Sequence, residues 1–390
     1  MTEFKNIFSE SVEIPEIVVK KADDAFAKIK MEGTDVMKDT TGSENMKNNK
    51  KRRLFKNQAA AIAGICLFAA GSITAVAAVR HVWSRGMQGN LQATDEQQQV
   101  LTEQGVATVY SEEDYGNLAV TDGNVTVTPD TVIVADQIAY LSFAVKGYEL
   151  EEGAEPCFEY VDVYLGDDPD SEDGWLNMSA SFYDGVVSDE NGLAVYDDGT
   201  MLQSDENGRI ISHYTDEEGT LQFVITAMVS DYDQSLLGKT IHVNFENLGT
   251  VYKAEYTGVM EGTWDLALDL SDVSATTNIS VSQKIEDTPM TLDSIDISPV
   301  SIKINYSVEG EVKSENDNNG VPVFCGVVLK DGTRLPFMSN GGMSATDETG
   351  SKAYVISAFD RVIDVEQVAS ILVGTLSEAD IDMIEIPITR

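Results

Sequence analysis

Residues 58–79 form a run of 22 amino acids without a charged side chain, and this run constrains the chain more than any other feature. As an α-helix it would extend about 33 Å, at roughly 1.5 Å per residue, which matches the hydrocarbon core of a bilayer. We therefore expect one transmembrane helix here. A basic cluster stands just before the run and predicts a cytoplasmic N-terminus by the positive-inside rule. The cluster consists of Lys50, Lys51, Arg52 and Arg53.

A cleaved signal peptide is the alternative interpretation of this run, because Ala75-Val76-Ala77 resembles a cleavage site. However, 57 residues precede the run, and the run is longer than the apolar part of an ordinary signal peptide. These lengths favour an uncleaved signal anchor. We expect a single-pass protein of the cell membrane, with residues 1–57 in the cytoplasm and the residues after the span outside it.

Charge is distributed very unequally on the two sides of the span. Residues 1–57 contain twelve Lys and Arg and ten Asp and Glu, a net charge of +2. Residues 81–390 contain thirteen Lys and Arg and 56 Asp and Glu, a net charge of −43. Such an acidic region repels phosphate groups, which argues against nucleic acid as a partner. Solubility is the plain interpretation of this acidity, and a basic or cation-rich partner is the alternative.

Residues 15–31 have the pattern of an amphipathic helix. Pro15 and Glu16 suit its first turn, where proline fits sterically and a carboxylate favours the helix dipole. Apolar side chains then recur every three or four residues and predict a partner-binding stripe. The stripe consists of Val18, Ala22, Ala25, Phe26 and Ile29. The expected partner is a cytoplasmic protein, a second copy of the segment or the membrane surface, and a marginal helix in a flexible tail is the plainer alternative.

Residues 80–116 are expected to form a juxtamembrane helical region. His81 and Trp83 stand where amphipathic side chains commonly anchor a span at the membrane interface. Thr94, followed by two acidic residues, predicts the start of a short helix that ends before Gly105.

The remaining sequence predicts a mainly β fold with two β-sandwich (Ig-like) domains, residues 117–270 and 271–390. Residues 158–165 alternate between the two faces of a strand, and Asp331-Gly332 predicts a hairpin turn. Residues 363–371 fit either a strand or a short helix. No long apolar helical period separates the strands, so a parallel βαβ architecture is disfavoured.

Several segments together resemble a known family. They are the basic cluster with its Ala-rich span, Trp83-Ser-Arg-Gly86, Thr94 to Leu101, Gly105, Asn124 to Thr128, Ile138 to Tyr148 and Val161 to Asp168. In these segments the chain resembles the clostridial-type membrane proteins of domain-of-unknown-function family 4179, which are described as anti-sigma-factor-like. The resemblance covers residues from about 13 to at least 270. It implies an extracytoplasmic-function sigma factor as cytoplasmic partner, and the segment from about Val281 looks like the second β domain that often accompanies the family.

An acidic loop is the candidate metal site, because clustered hard oxygen ligands suit Ca²⁺. Its carboxylates are Asp167, Asp168, Asp170, Glu172 and Asp173. The spacing does not fit an EF-hand, and neither do two Ser-Asp-Glu-Asn-Gly loops that end at Gly192 and Gly208. Solvated acidic turns are therefore the plainer interpretation, and we expect no cofactor.

No motif of a catalytic class is present, and the three histidines are far apart in the sequence. We expect no enzyme, although a hydrolase built from carboxylates stays open. The strands show no cluster of aromatic residues of the kind that marks a sugar cleft. Cys157 and Cys325 either form one disulfide or remain two buried thiols.

The sequence thus predicts a membrane regulator that senses the cell envelope with its outer β region and holds a cytoplasmic partner with its inner helix. A surface adhesion or scaffold protein is the alternative, and a surface hydrolase is the least favoured one.

Overall fold

Antiparallel strands make up most of the part of the chain that the structure describes, so the fold is mainly β, as predicted. The computed structural model describes residues 83–110 and 118–389, apart from gaps at 152, 167–173, 190–192, 207, 230, 232, 253–254, 287, 311–319, 348 and 377–380. The predicted span, the basic cluster, the apolar stripe and the Ca²⁺ loop lie outside the described residues. None of the helices among the described residues is long and apolar enough to cross a bilayer.

Among the described residues, two α-helices precede the strands, α1 (Arg85–Leu91) and α2 (Asp95–Glu103). The strands of the N-terminal half are β1 (Ala107–Val109), β2 (Val120–Asp122), β3 (Val125–Val134), β4 (Ile138–Lys146), β5 (Glu155–Leu165), β6 (Leu176–Phe182), β7 (Val186–Ser188), β8 (Ala194–Tyr196), β9 (Leu221–Val229), β10 (Thr240–Tyr252) and β11 (Glu255–Asp269). Those of the C-terminal half are β12 (Thr277–Lys284), β13 (Met290–Ile297), β14 (Ser301–Val308), β15 (Val323–Leu329), β16 (Arg334–Pro336), β17 (Ser339–Thr346), β18 (Lys352–Phe359), β19 (Val368–Leu376) and β20 (Ile381–Pro387).

The helix predicted from Thr94 is confirmed as α2. The Thr94 side chain accepts a hydrogen bond from Gln97 N, and the Gln97 side chain accepts one from Thr94 N, which is a complete capping box. Helix α1 lies within residues 80–116, which were predicted to be helical, but its bounds were not predicted. The interfacial role expected for Trp83 is wrong, because its side chain is only 2% exposed and packs in the protein core. His81 lies outside the described residues.

In the N-terminal half, two sheets face each other across an aromatic core. A six-stranded sheet has the order β1-β3-β4-β9-β6 with β2 on the side of β3, and a three-stranded sheet has the order β11-β10-β5. Phe143 of the first sheet contacts Phe245 of the second, with ring centroids 5.2 Å apart. Phe223 and Phe158 make the same kind of contact at 5.1 Å. Strand alternation thus supplies one buried face from each sheet.

In the C-terminal half, a five-stranded sheet β12-β13-β14-β18-β17 and a four-stranded sheet β16-β15-β19-β20 share a second core. Phe324 of β15 stacks on Phe359 of β18 at 5.4 Å. The hairpin predicted at Asp331 is confirmed, because β15 pairs with β16 across that turn. Residues 363–371 combine both predicted alternatives, a 3₁₀ turn (Val365–Gln367) followed by the start of β19.

Tyr140 on β4 joins the two halves. Its hydroxyl donates to Val300 O at 2.7 Å and accepts from Phe359 N at 2.8 Å, and its side chain is 0% exposed. Beside it, Val362 N donates to Leu91 O at the end of α1 at 2.9 Å. The C-terminal half therefore covers one end of the outer face of the six-stranded sheet, next to α1. Of the alternatives for the cysteines, free thiols are found, with Cys157 half-buried and Cys325 buried.

Candidate functional site

Asp130 occupies a bulge in β3. Strand pairing shifts its register between Pro129, opposite Phe143, and Thr131, opposite Ser142, so Asp130 is the extra residue. Pro129 has no N–H group to donate to the ladder, which is a local reason for the interruption. The bulge brings Asp130 and Thr131 to the same outer face of the sheet, where both line one cavity.

The Asp130 carboxylate is buried without a hydrogen-bond partner. The residue is 8% exposed, and neither carboxylate oxygen has a partner in hydrogen-bonding geometry. Burial raises the pKa of this carboxyl from 3.8 to about 6, because desolvation disfavours the charged form. The nearby hydroxyl groups of Ser84, Ser142 and Thr131 lower the pKa again, but by less than burial raises it.

The hydroxyl groups beside Asp130 also contact one another and their neighbours. Ser84 Oγ lies 2.8 Å from Ser142 Oγ, and Ser142 Oγ donates to Gln222 Oε1 at 3.4 Å. Ser84 Oγ also accepts from Met87 N at 3.2 Å. Ser84 N donates to Thr131 Oγ1 at 3.2 Å. These contacts hold the Ser84, Ser142 and Thr131 hydroxyl groups beside the Asp130 carboxylate.

A cavity of about 500 Å³ lies over this group, within the range of small-molecule sites. It is lined by Ser84, Val109, Tyr110, Ala119, Thr126, Thr128, Asp130, Thr131, Ala144, Lys146, Asp216, Glu218, Thr220 and Gln222. At its rim, Lys146 Nζ stands 3.8 Å from Glu218 Oε2, and Asp216 Oδ1 accepts from Thr220 N at 2.8 Å. Three carboxylates against one ammonium leave the lining with a formal charge of −2.

None of the predicted site residues lies at this cavity. The apolar stripe and the Ca²⁺ loop fall outside the described residues, and within the described part no group of three or more His, Cys, Asp or Glu is placed to hold a metal. In the two Ser-Asp-Glu-Asn-Gly loops, Asp189 Oδ1 accepts from Leu193 N and Asp205 Oδ1 accepts from Arg209 N, each at 2.8 Å. These two carboxylates stabilise their own turns.

Sequence reasoning missed Asp130 altogether. An acidic residue directly after a proline inside the apolar strand VTVTPDTVIV was the available signal, since a central strand disfavours both. The partners Ser84, Ser142 and Gln222 come from distant segments, and only the fold brings them together.

Aromatic side chains gather on the outer face of the three-stranded sheet. The sequence-based statement that the strands show no aromatic cluster is therefore wrong. Tyr160 and Trp175 are 62% and 61% exposed, and Trp175 pairs with Tyr164 through a β-bridge. The Tyr164 ring stacks on His242 with centroids 5.0 Å apart. The sequence concealed this cluster because its members belong to three separate segments.

No family model matches the chain. No curated protein matches it either. Among solved structures, the chain is similar to a crystal structure of a conserved domain protein from Bacillus anthracis, with a TM-score of 0.41 and 12% identity, over 71% of this chain and 84% of that one.

Proposed function

We propose that this protein is a single-pass bacterial membrane regulator whose acidic β region, built of two Ig-like sandwiches, senses a ligand outside the cytoplasm. In this proposal the cytoplasmic helix holds a partner, for which the family resemblance suggests an extracytoplasmic-function sigma factor. The protein acts by binding and carries out no catalysis itself.

The position of Ser84 is the observation that carries this proposal. Ser84 follows Val79, the last residue of the predicted span, by only five positions. It lines the cavity beside Asp130, contacts Ser142 and caps the N-terminus of α1. A ligand in the cavity therefore acts on the segment through which the chain enters the β region from the membrane.

Helix α1 is held at both of its ends. Before its start, Trp83 N donates to Gln98 Oε1 at 2.9 Å, and at its end Leu91 O accepts from Val362 N of the C-terminal half. Because buried hydrogen bonds fix these contacts, a change at Ser84 is passed on to the helix and is not absorbed by a loose loop. This supports a path from the cavity towards the membrane.

Capture of the cytoplasmic partner tests the proposal. The full-length chain is purified from its native cells in detergent, and bound proteins are identified by mass spectrometry. We expect a sigma factor with the wild-type chain and its loss with Ala25→Asp/Phe26→Asp, which places two charges on the apolar stripe. The matched control Lys20→Ala/Lys21→Ala changes the net charge equally on the polar face and keeps the partner. Absence of a sigma factor from the wild-type sample contradicts the proposal.

A surface adhesion protein is the second candidate, and the exposed aromatic face of the three-stranded sheet favours it. On this sheet β5 contributes three carboxylates, β10 one and β11 four, and none of these strands contains Lys or Arg. A cationic surface suits such a face, since aromatic rings and carboxylates both attract positive charge. Cell binding that is lost with Tyr160→Ala, together with no captured sigma factor, would favour adhesion.

A further inference from the structure

We propose that the cavity beside Asp130 binds a small aliphatic amine in its protonated form, with the ammonium group on the Asp130 carboxylate. This inference rests on the function proposed above, because it names the ligand class of the cavity that Ser84 lines. It is based on a buried carboxylate without a hydrogen-bond donor, at a cavity large enough for a small molecule.

Charge selects the class of ligand. The lining carries a formal charge of −2, so an anion is repelled. A divalent metal requires several carboxylate or imidazole ligands in one place, and the described residues offer no such group. A single buried carboxylate is matched by a single positive charge, because each excess charge in a low-dielectric site must be neutralised.

Hydrogen bonding selects an ammonium group among monocations. The Asp130 carboxylate lies beside the oxygens of Ser84 and Ser142, and Ser142 contacts Gln222 Oε1. All of these oxygens can accept a hydrogen bond. A primary ammonium has three N–H donors and no acceptor, which is the complement of this arrangement.

The remaining cavity wall suits a short hydrocarbon body. Val109, Ala119 and Ala144 contribute only apolar side chains, and Thr126, Thr128 and Thr220 contribute methyl groups. A volume of about 500 Å³ exceeds what a bare ion fills. These features favour an alkyl chain of a few carbons over an inorganic cation.

The carboxylate reaches a ligand by rotation of its own side chain. Both oxygens are shielded from solvent, and neither has a partner in good hydrogen-bonding geometry. Turning Asp130 towards the cavity therefore gives up only the interactions with the hydroxyl groups of Ser84, Ser142 and Thr131 that lower its pKa. In return, the carboxylate gains a charge-assisted hydrogen bond in a poorly solvated place, where such bonds are strong.

Isothermal titration calorimetry of the full-length chain in detergent tests this with three probes of equal size. The probes are butylammonium, butanol and butyrate, with ammonium chloride as a fourth titrant. We expect binding of butylammonium alone. Equal binding of butanol shows that the apolar wall is sufficient and overturns the proposal, and so does an equal effect of ammonium chloride, which indicates an inorganic cation site.

Asp130→Asn locates the binding. We expect butylammonium to bind about ten-fold to a hundred-fold more weakly, the change that corresponds to loss of a charge-assisted hydrogen bond. The control Asp162→Asn removes an exposed carboxylate from another sheet and leaves binding unchanged. Unaltered binding to Asp130→Asn overturns the proposal. If that variant does not fold, as circular dichroism would reveal, the comparison of the probes on the wild-type chain remains decisive.

The two proposals fail in different ways. A chain that captures a sigma factor but binds no butylammonium contradicts the ligand class and leaves the regulator in place. A chain that binds butylammonium through Asp130 but captures no sigma factor supports the amine site and contradicts the regulator.

Discussion

Tyr140 and Asp130 are both buried polar side chains on the outer face of the same sheet, yet their surroundings differ. Tyr140 has a donor and an acceptor from the C-terminal half of the chain within 2.8 Å. Neither oxygen of the Asp130 carboxylate has a partner in good hydrogen-bonding geometry. The C-terminal half covers one end of this face, and a cavity lies at the other end. Tyr140 therefore joins the two halves of the chain, whereas Asp130, we infer, binds a ligand.

Buried polar groups with hydrogen-bond partners and buried polar groups without them differ in their effect on the free energy of unfolding. A buried polar group with good partners contributes about 1 kcal/mol, whereas one without partners costs about 1–3 kcal/mol, and more when charged. Proteins rarely retain the second kind without a use for it, and such groups are concentrated at functional sites. Substitutions at the two positions should therefore change the free energy of unfolding in opposite directions.

Tyr140→Phe should have the largest effect. The change removes the hydrogen bonds that the hydroxyl makes with Val300 O and Phe359 N, although these two groups keep their own 2.9 Å hydrogen bond to each other. At about 1 kcal/mol per hydrogen bond, we expect a loss of about 2 kcal/mol in the free energy of unfolding. Urea denaturation of the purified chain measures it. Tyr160→Phe is the matched control, since that hydroxyl belongs to an exposed side chain and its removal should change little. Equal stability of both variants would mean that Tyr140 does not fasten the two halves together.

Asp130→Asn should have a smaller effect of opposite sign. The substitution removes a buried charge that no group compensates, so we expect the free energy of unfolding at pH 7 to rise by about 1–2 kcal/mol. Urea denaturation of both chains without ligand measures the gain. A loss of stability at pH 7 would indicate that the carboxylate is paired in solution.

The pH dependence of the stability gain in Asp130→Asn is the control for that prediction. The pKa of Asp130 is about 6 in the folded chain and 3.8 without burial, so between about pH 4 and 6 the folded chain holds more protons than the unfolded one. Wild-type stability from this group therefore falls as the pH rises through that window. The advantage of Asp130→Asn should disappear near pH 4. The other charged groups of the cavity, Lys146, Asp216 and Glu218, are present in all these chains.

The contrast also explains how far the sequence could be interpreted. Alternation in residues 158–165 and the turn at Asp331 are local patterns, and both gave the correct element. Thr94 followed by two acidic residues is a local pattern too, and it predicted the start of α2. The interfacial role predicted for Trp83 was wrong. Its position near the predicted span indicated the membrane interface, and only its tertiary neighbours place it in the core.

The candidate site could not be predicted from the sequence, because it too depends on tertiary neighbours. A single aspartate in a strand is ambiguous until one knows which face it occupies and whether donors stand opposite. Here the bulge decides the face, and the tertiary fold places Ser84, Ser142 and Thr131 beside the carboxylate without giving its oxygens a partner in good hydrogen-bonding geometry. Both depend on pairing between residues dozens of positions apart, which periodicity within one segment does not encode.

Lys146→Gln should have the smallest effect and sharpens the comparison between the rim and the floor of the cavity. Lys146 and Glu218 form an exposed pair at 3.8 Å, and pairs of this kind contribute less than about 0.5 kcal/mol, so urea denaturation should reveal almost no change. The substitution nevertheless makes the lining one charge more negative. Titration with butylammonium should therefore show equal or slightly tighter binding, most clearly at low ionic strength, where rim charges are least screened. Clearly weaker binding would contradict an ammonium group in this cavity, because the positive charge of Lys146 repels such a ligand and its removal cannot weaken binding through charge.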